Sequence, residues 1–482
     1  MRLLRGVYEG PGSHGVLRVA ASLRGVHAVL RALPGEGYFP ALYGSNTRGG
    51  EPAPVSVSPL WEKPDDSRAP GDLARDLSAA VRQNPEAEAV VVTRSEAALL
   101  SGEPLPVTSL PERARTGRAP KLVTCSWERP GIGEVEAADL ALEDFVRAYV
   151  WGKRERSPHP TVNLFGPPIF GPGAAAEYAE AERLLGLIGV EVNTRVPLGT
   201  SVEDLSGLPR AWANVTLYRE IGESATQYLQ DELGMQRVTT PMIGATGTGA
   251  ALRAIGELCH LDTREVQRAV WAELARTAKL PWYARLYRPE TFVGRRVAIF
   301  GDFTYPLGLG HALAREVGLE VAACGTYLTH AERDFLFHAS TFTDESFVED
   351  DPEKVAARIE AADPDLIVGT HLEEGVADSL EVPFLPLCPP VAEHPFVGRP
   401  LMGYTGCSVL ADALDSALDR SEKRPEAPAG GAAQTPWTDE ALEELAQIPS
   451  FLRGRARRLA EERARELDSD EVTREIFLQS RD

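Results

Sequence analysis

The sequence predicts an α/β protein of three doubly wound, Rossmann-like domains followed by a small helical C-terminal module. Three observations carry that reading. First, short apolar runs of strand length recur along the chain: AVVVT (89–93), KLVTC (121–125), TVNLF (161–165), VEVNTRV (190–196), RRVAIFGDF (295–303), LEVAACGTYL (319–328) and DLIVGT (365–370). Second, helical patterns stand between them, and strands alternating with helices at this spacing pair in parallel with helices on both faces. Third, two segments punctuate the pattern: the charged, proline-bearing RERSPHP (154–160) and the Pro/Ala/Gly-rich PEAPAGGAAQTP (425–436). The expected domains are therefore 1–155, 160–290 and 293–424, with a linker at 425–436 and a helical module at 437–482.

The opening stretch, from Tyr8 to Phe39, is the most informative. Gly10, Pro11, Gly12 and Gly15 predict a flexible loop at a helix N-terminus, where unpaired backbone N–H groups can meet an anion or a cluster. Val16, Val19, Ala20, Leu23, Val26 and Val29 recur at helical spacing and predict one helix across the segment. At its far end Glu36 stands between Gly35 and Gly37, where absent side chains permit unusual backbone angles and leave a carboxylate unobstructed. From the residues alone Glu36 is either a solvated turn residue or an oxygen ligand at a shared surface.

Residues 135–150 form an amphipathic pattern, 174–189 a helix, and ESATQYLQDELG (223–234) a helix closed by glycine. In the third domain a helix is expected from near His311 to Val317. The tail after Trp437 is a helical pattern in which Arg457/Glu461 and Arg458/Glu462 fall at i,i+4.

Composition narrows the function classes. With 71 acidic against 50 basic residues the net charge is -21, which disfavours a nucleic acid or an anionic membrane as the main partner. No run approaches the ~20 apolar residues of a membrane span, so a cytoplasmic protein is expected. Cys125, Cys259, Cys324, Cys388 and Cys407 are scattered without a Cys-x-x-Cys pair, which argues against a self-contained zinc or iron-sulfur site and for buried, inert thiols. GDFTYPLGLGHAL (301–313) and GATGTGAAL (244–252) fall short of G-x-G-x-x-G, and there is no Walker A lysine motif, G-x-S-x-G elbow or H-E-x-x-H. His14 and His27 are expected in core or capping roles.

Several long segments, in one order, resemble a known family. These are the Tyr8 to Phe39 stretch, VEAADLALEDFVRAYV (135–150), VNLFG (162–166), LIGVEVN (187–193), VPLGTSVEDLSGLPRAWANVTLYREIGESATQYLQDELGM (196–235) and IPSFLRGRARRLAEERA (448–464). Together they resemble the B-type subunits of light-independent (dark-operative) protochlorophyllide reductase, relatives of the nitrogenase molybdenum-iron protein. The resemblance implies a nitrogenase component 1-like fold and a B-type subunit that pairs with an N-type subunit as an N2B2 heterotetramer. It implies a separate L-type dimer that hydrolyses MgATP and delivers electrons singly, and a tetrapyrrole substrate reduced at ring D. It also implies a 4Fe-4S cluster shared between subunits, three cysteines from the N-type chain and one acid from the B-type chain; Glu36, within ALPGEGYF (32–39), takes the acid's place.

Three departures accompany the likeness. The family's Cys-Thr-Ser after a first-domain strand is Arg94-Ser95-Glu96 here. Its aspartate proton donor aligns with Arg288, which stays protonated and cannot act as a general acid, though it can clamp a carboxylate. Its apolar pigment contact aligns with Arg420, Ser421 and Glu422, after RPLMGYTG (399–406). Alternatives therefore stand beside the leading expectation: a reductase of the same architecture for another tetrapyrrole-like substrate, or a non-catalytic scaffold or regulatory paralogue.

Overall fold

A computed structural model describes residues 7–38, 53–60, 72–102, 110, 119–152, 154–166, 173–278, 292–390, 398–422, 436–447, 459–460, 463–464, 467, 469 and 471–480. The chain divides into two compact units. One holds 7–241 with 249–271, and the other is built on the described residues of 242–248 and 272–482.

The first unit contains two parallel sheets. In the first, β1 (Val26–Ala32), β2 (Val55–Pro59), β3 (Ala89–Arg94) and β4 (Lys121–Thr124) lie in the order β2-β1-β3-β4. Its helices are α1 (Gly12–Ser22), α2 (Leu73–Gln83), α3 (Glu96–Leu100) and α4 (Glu134–Tyr149). The second sheet orders β5 (Thr161–Phe165), β6 (Glu191–Val196), β7 (Ala213–Thr216) and β8 (Gln236–Val238) as β6-β5-β7-β8, with α5 (Ala174–Leu187) and α6 (Glu223–Leu233). Gly234 closes α6 in the left-handed conformation, φ 64°.

One core joins these two sheets. Leu142, Phe145 and Val146 of α4 share one buried cluster with Val16 and Ala20 of α1 and with Phe165, Leu229 and Met235. Each such large side chain, fully removed from water, contributes about 2 kcal/mol. The opposite face of the first sheet buries Val29, Val90 and Val92 against Leu77, Ala80 and Val81 of α2.

Here the expected opening helix is corrected. It stops at Ser22; Gly25 turns the chain at φ 77°, and Val26 and Val29 belong to β1. Nor are Gly12 and Gly15 a flexible loop. They lie inside α1, where a Cβ on Gly15 would overlap the Glu134 carbonyl, so they let α1 and α4 cross closely.

Helix α7 (Gly244–Leu258) leads to α8 (Thr263–Ala278). The second unit's sheet orders β9 (Arg296–Gly301), β10 (Glu320–Thr326), β11 (Ser346–Val348), β12 (Leu366–Val368) and β13 (Phe384–Leu385) as β11-β10-β9-β12-β13, all parallel. The helices are α9 (Thr304–Ala312), α10 (Glu332–Ala339), α11 (Pro352–Ala361), α12 (Glu374–Leu380) and α13 (Gly403–Glu422). Helix α9 begins earlier than expected: Pro306 falls in its first turn, where no N–H is needed, and Gly308 and Gly310 pack against Ile243 and Phe342.

The C-terminal module contains α14 (Asp439–Gln447) and α15 (Arg474–Gln479). They enclose Leu445, Ala460, Ala464, Val472, Ile476 and Phe477, with Trp437 against Phe477 at 5.7 Å between ring centroids. Arg457/Glu461, Arg458/Glu462 and linker residues 425–435 lie outside the described residues.

Candidate functional site

All strands of the first sheet run the same way, so their C-terminal ends form one edge. The chain passes from β1 out to β2 and then returns to β3 on the other flank. Open α/β sheets bind ligands at such a switch point, here between β1 and β3.

Glu36 stands at this edge, in the turn that follows β1. Gly35 has φ 99°, a backbone conformation that glycine adopts at little cost. Glu36 N–H donates to the Leu33 carbonyl at 3.2 Å, and Leu33 N–H donates back to Glu36 Oε2 at 2.6 Å. Gly37 lets the turn lie on β2, since a Cβ there would enter the Val57 side chain. The carboxylate is thus anchored through one oxygen. Among the described residues Oε1 accepts no hydrogen bond.

The ends of β3 and β4 complete the edge. Glu128, whose side chain is 3% exposed, accepts from Thr93 Oγ1 at 2.5 Å and from Arg94 N and Nε at 3.0 Å each. Ser95 Oγ caps α3 through Ala98 N–H, and Glu96 Oε1 receives Gly131 N–H at 3.0 Å. Arg94-Ser95-Glu96 therefore forms a closed ion pair, a cap and a loop tie. Cys125 is buried beside Glu128 and Asp144, and burial first, then those acids, push its thiol well above the ordinary range. Such a thiol is a poor ligand and nucleophile.

The loop before α1 is tied to the start of α4. Gly10 N–H donates to Glu134 Oε2 at 2.8 Å, Val135 N–H donates to Glu9 at 2.9 Å, and Arg18 pairs with Glu134 at 2.5 Å. Val135 lies in the first turn of α4, so the Glu9 carboxylate meets the start of that helix, while Pro11, the residue before α1, offers no side-chain cap. Similarly, Ala245 and Thr246 N–H at the start of α7 donate to Glu316 at 2.8 and 2.7 Å. His14 sits beside Glu134 with its pKa lowered, chiefly by burial. His27 is buried in β1 with Nε2 at 2.8 Å from Ser56 Oγ.

Arg288 lies outside the described residues. Arg420, Ser421 and Glu422 fall on the last turn of α13, and their side chains lie outside the described residues. Two residues of the edge escape a reading by motif, Arg31 and Glu128. A signal for Arg31 exists in VHAVLRA (26–32), an arginine inside an otherwise apolar strand run; Glu128, in a loop, leaves none.

Residues 13–419 match the family described as Nitrogenase component 1 type Oxidoreductase. The chain belongs to this family. Residues 437–481 match a second family, the Proto-chlorophyllide reductase 57 kD subunit. The chain is similar to the B-type subunit of light-independent protochlorophyllide reductase from Chlorobium limicola, at 30% identity over 100% of this chain and 99% of that protein. The corresponding protein of Heliobacterium modesticaldum is 29% identical (99% and 97% covered), and that of Leptolyngbya boryana 28% (99% and 98%). In fold it is similar to a solved structure, "Nitrogenase Cp1 at pH 6.5", with TM-score 0.70 and 15% identity over 89% of this chain and 96% of that one.

As a member of the nitrogenase component 1 type oxidoreductases, the chain is an oxidoreductase subunit, and its family implies iron-sulfur chemistry in a multi-subunit complex. The residues suit a shared cluster rather than a self-contained one. Among the described residues no three His, Cys, Asp or Glu side chains gather to hold a metal, and all five cysteines are buried. Among the described residues, Glu36 is an oxygen donor anchored through one oxygen at the sheet edge. No helix among the described residues is long and apolar enough to cross a membrane.

Proposed function

We propose that this chain is the cytoplasmic B-type subunit of an ATP-dependent, nitrogenase-like reductase that reduces ring D of protochlorophyllide in light-independent (bacterio)chlorophyll synthesis. The observation that carries the reading is the end-to-end likeness to B-type subunits of that reductase, including a C-terminal module with its own protochlorophyllide reductase family match. In this reading it pairs with an N-type subunit as N2B2, and an L-type dimer binds MgATP and delivers electrons.

Glu36 supplies one oxygen ligand to a 4Fe-4S cluster whose thiolates come from the N-type subunit. When bound, that cluster passes single electrons onward. This chain's part is to aim the donor: Leu33 N–H holds Oε2, Gly35 sets the turn, and Gly37 seats it on β2. An anionic oxygen donor lowers a cluster's potential relative to a neutral one. Arg288, and Arg420, Ser421 and Glu422 at the end of α13, stand for substrate contact, with Arg288 clamping a carboxylate rather than giving a proton.

A second reading, the same reductase architecture acting on a more polar tetrapyrrole, is favoured by that arginine and by the polar run 420–422. The test is co-purification with N- and L-type partners, followed by iron analysis and MgATP-dependent turnover of protochlorophyllide. The proposal predicts one cluster per N/B half and conversion to the ring-D-reduced product. A complex that loads iron but turns over only a more polar tetrapyrrole supports the second reading, and one that neither loads iron nor reduces a tetrapyrrole overturns both.

A further inference from the structure

Arginines stand at the C-terminal ends of the two strands that flank the switch point, Arg31 next to last in β1 and Arg94 last in β3. Arg31 of β1 and Arg94 of β3 are register partners in a parallel pair, so their side chains leave the sheet on the same face. Like charges set side by side repel, and each guanidinium group is held by polar partners. Arg94 is joined directly to the buried Glu128 carboxylate at 3.0 Å. Arg31 is wholly buried and donates through Nη1 to Ser58 Oγ at 3.0 Å and to the Pro59 carbonyl at 2.6 Å. Ser58 in turn donates to Asp76 Oδ2 at 2.8 Å, so a hydroxyl stands between this cation and that carboxylate.

Glu36 is fastened to the same strand end. Its carboxylate bonds Leu33 N–H, and two residues of extended chain, about 7 Å, separate that amide from the Arg31 Cα. We propose that Arg31 is a positioning residue for electron transfer: its buried positive charge, moderated by Asp76 through Ser58, sets the potential of the centre that Glu36 ligates. The proposal rests on the reading of Glu36 as the oxygen ligand. A full charge inside the protein favours the more negative, reduced form of a neighbouring cluster. For a separation of roughly 10 Å and an effective dielectric of about 20, one such charge would move a one-electron reduced-to-oxidised ratio by on the order of tenfold.

The experiment is an EPR-monitored redox titration of the assembled complex carrying Arg31→Met, Arg31→Lys or Asp76→Asn. Arg31→Met should leave the cluster about tenfold more oxidised at the wild-type midpoint, a shift of about 59 mV for one electron. Arg31→Lys, which keeps the charge, should stay within about threefold of wild type. Asp76→Asn removes a negative charge and should shift the midpoint in the opposite direction, which a merely structural loss would not do. A loaded Arg31→Met complex with an unchanged midpoint overturns the proposal. If that variant does not assemble, an Asp76→Asn midpoint that is unmoved, or moved in the negative direction, overturns it instead. Glu36→Ala is titrated alongside. If its EPR spectrum equals that of wild type, the ligand reading fails; if the spectrum changes while the Arg31 and Asp76 variants leave the midpoint alone, only the tuning proposal fails.

Discussion

Gly37 is the point at which the turn carrying Glu36 touches the neighbouring edge strand, and Gly37→Ala tests whether that seat matters. Gly37 is not in the left-handed region, so alanine can adopt its backbone angles, and the perturbation is purely steric. The new methyl would run into Val57 Cγ2. Val57 is 41% exposed and its side chain can swing aside, which puts the cost at the lower end of overpacking, about 1–2 kcal/mol. Val57→Ala alone removes methyls that are partly in water and should cost about 0.5–1 kcal/mol.

The two changes share one small space, so the double variant should recover most of the loss, with a coupling of about 1 kcal/mol. The assay is hydrogen exchange at the Leu33 amide, which donates to Glu36 and reports opening of this turn. Gly37→Ala should speed that exchange by about tenfold, the equivalent of 1.4 kcal/mol, and Gly37→Ala with Val57→Ala should bring it back to within about threefold. Unchanged exchange in Gly37→Ala, or no recovery in the pair, refutes the packing argument.

Other positions give equally definite outcomes. Glu128→Ala removes the buried carboxylate that Thr93 Oγ1, Arg94 N and Arg94 Nε share and should cost about 3–5 kcal/mol in urea unfolding, whereas Glu128→Gln, which keeps an acceptor, should cost less. Asp139 on α4 is buried, and burial raises its pKa to about 7 despite hydrogen bonds from Ser224 N–H and Oγ. Between about pH 4 and 7 the unfolded chain has lost this proton and the folded chain keeps it, so stability falls as pH rises through that window and levels off above it. Asp139→Asn should flatten that slope by up to about 1.4 kcal/mol per pH unit, measured by denaturation at a series of pH values. Gly15→Ala drives a methyl into backbone of α4, which cannot swing away as Val57 can, so it should destabilise the first unit by about 3 kcal/mol or more in the same assay.

Much of the fold is legible because parallel strands buried on both faces are short apolar runs, and those at 89–94, 121–124, 161–165, 191–196 and 296–301 stand out from their helices. The same property explains why the opening reads as one helix. VHAVL in a fully buried strand has no polar alternation, so its valines continue the spacing of α1, and only Gly25 marks the break. Helix α9 is hidden by Pro306, Gly308 and Gly310, residues that discourage helix locally but are chosen by tertiary contacts with Ile243 and Phe342. At the candidate site, Glu36 is visible because glycines bracket it. Glu128 and the Arg31–Ser58–Asp76 chain are not, because their partners are 34, 27 and 18 residues apart and meet only when the strands pair. The tie from Gly10 to Glu134, 124 residues away, is invisible for the same reason.

The claim on which the functional account turns is that the Glu36 carboxylate bonds iron. Complex prepared with glutamate labelled with 13C at the side-chain carboxyl, reduced and examined by electron-nuclear double resonance, reads that bond directly. The account predicts a 13C coupling in the wild-type cluster that disappears in Glu36→Ala complex that still holds iron. A cluster that forms and shows no carboxylate coupling, or a coupling that survives Glu36→Ala, contradicts it.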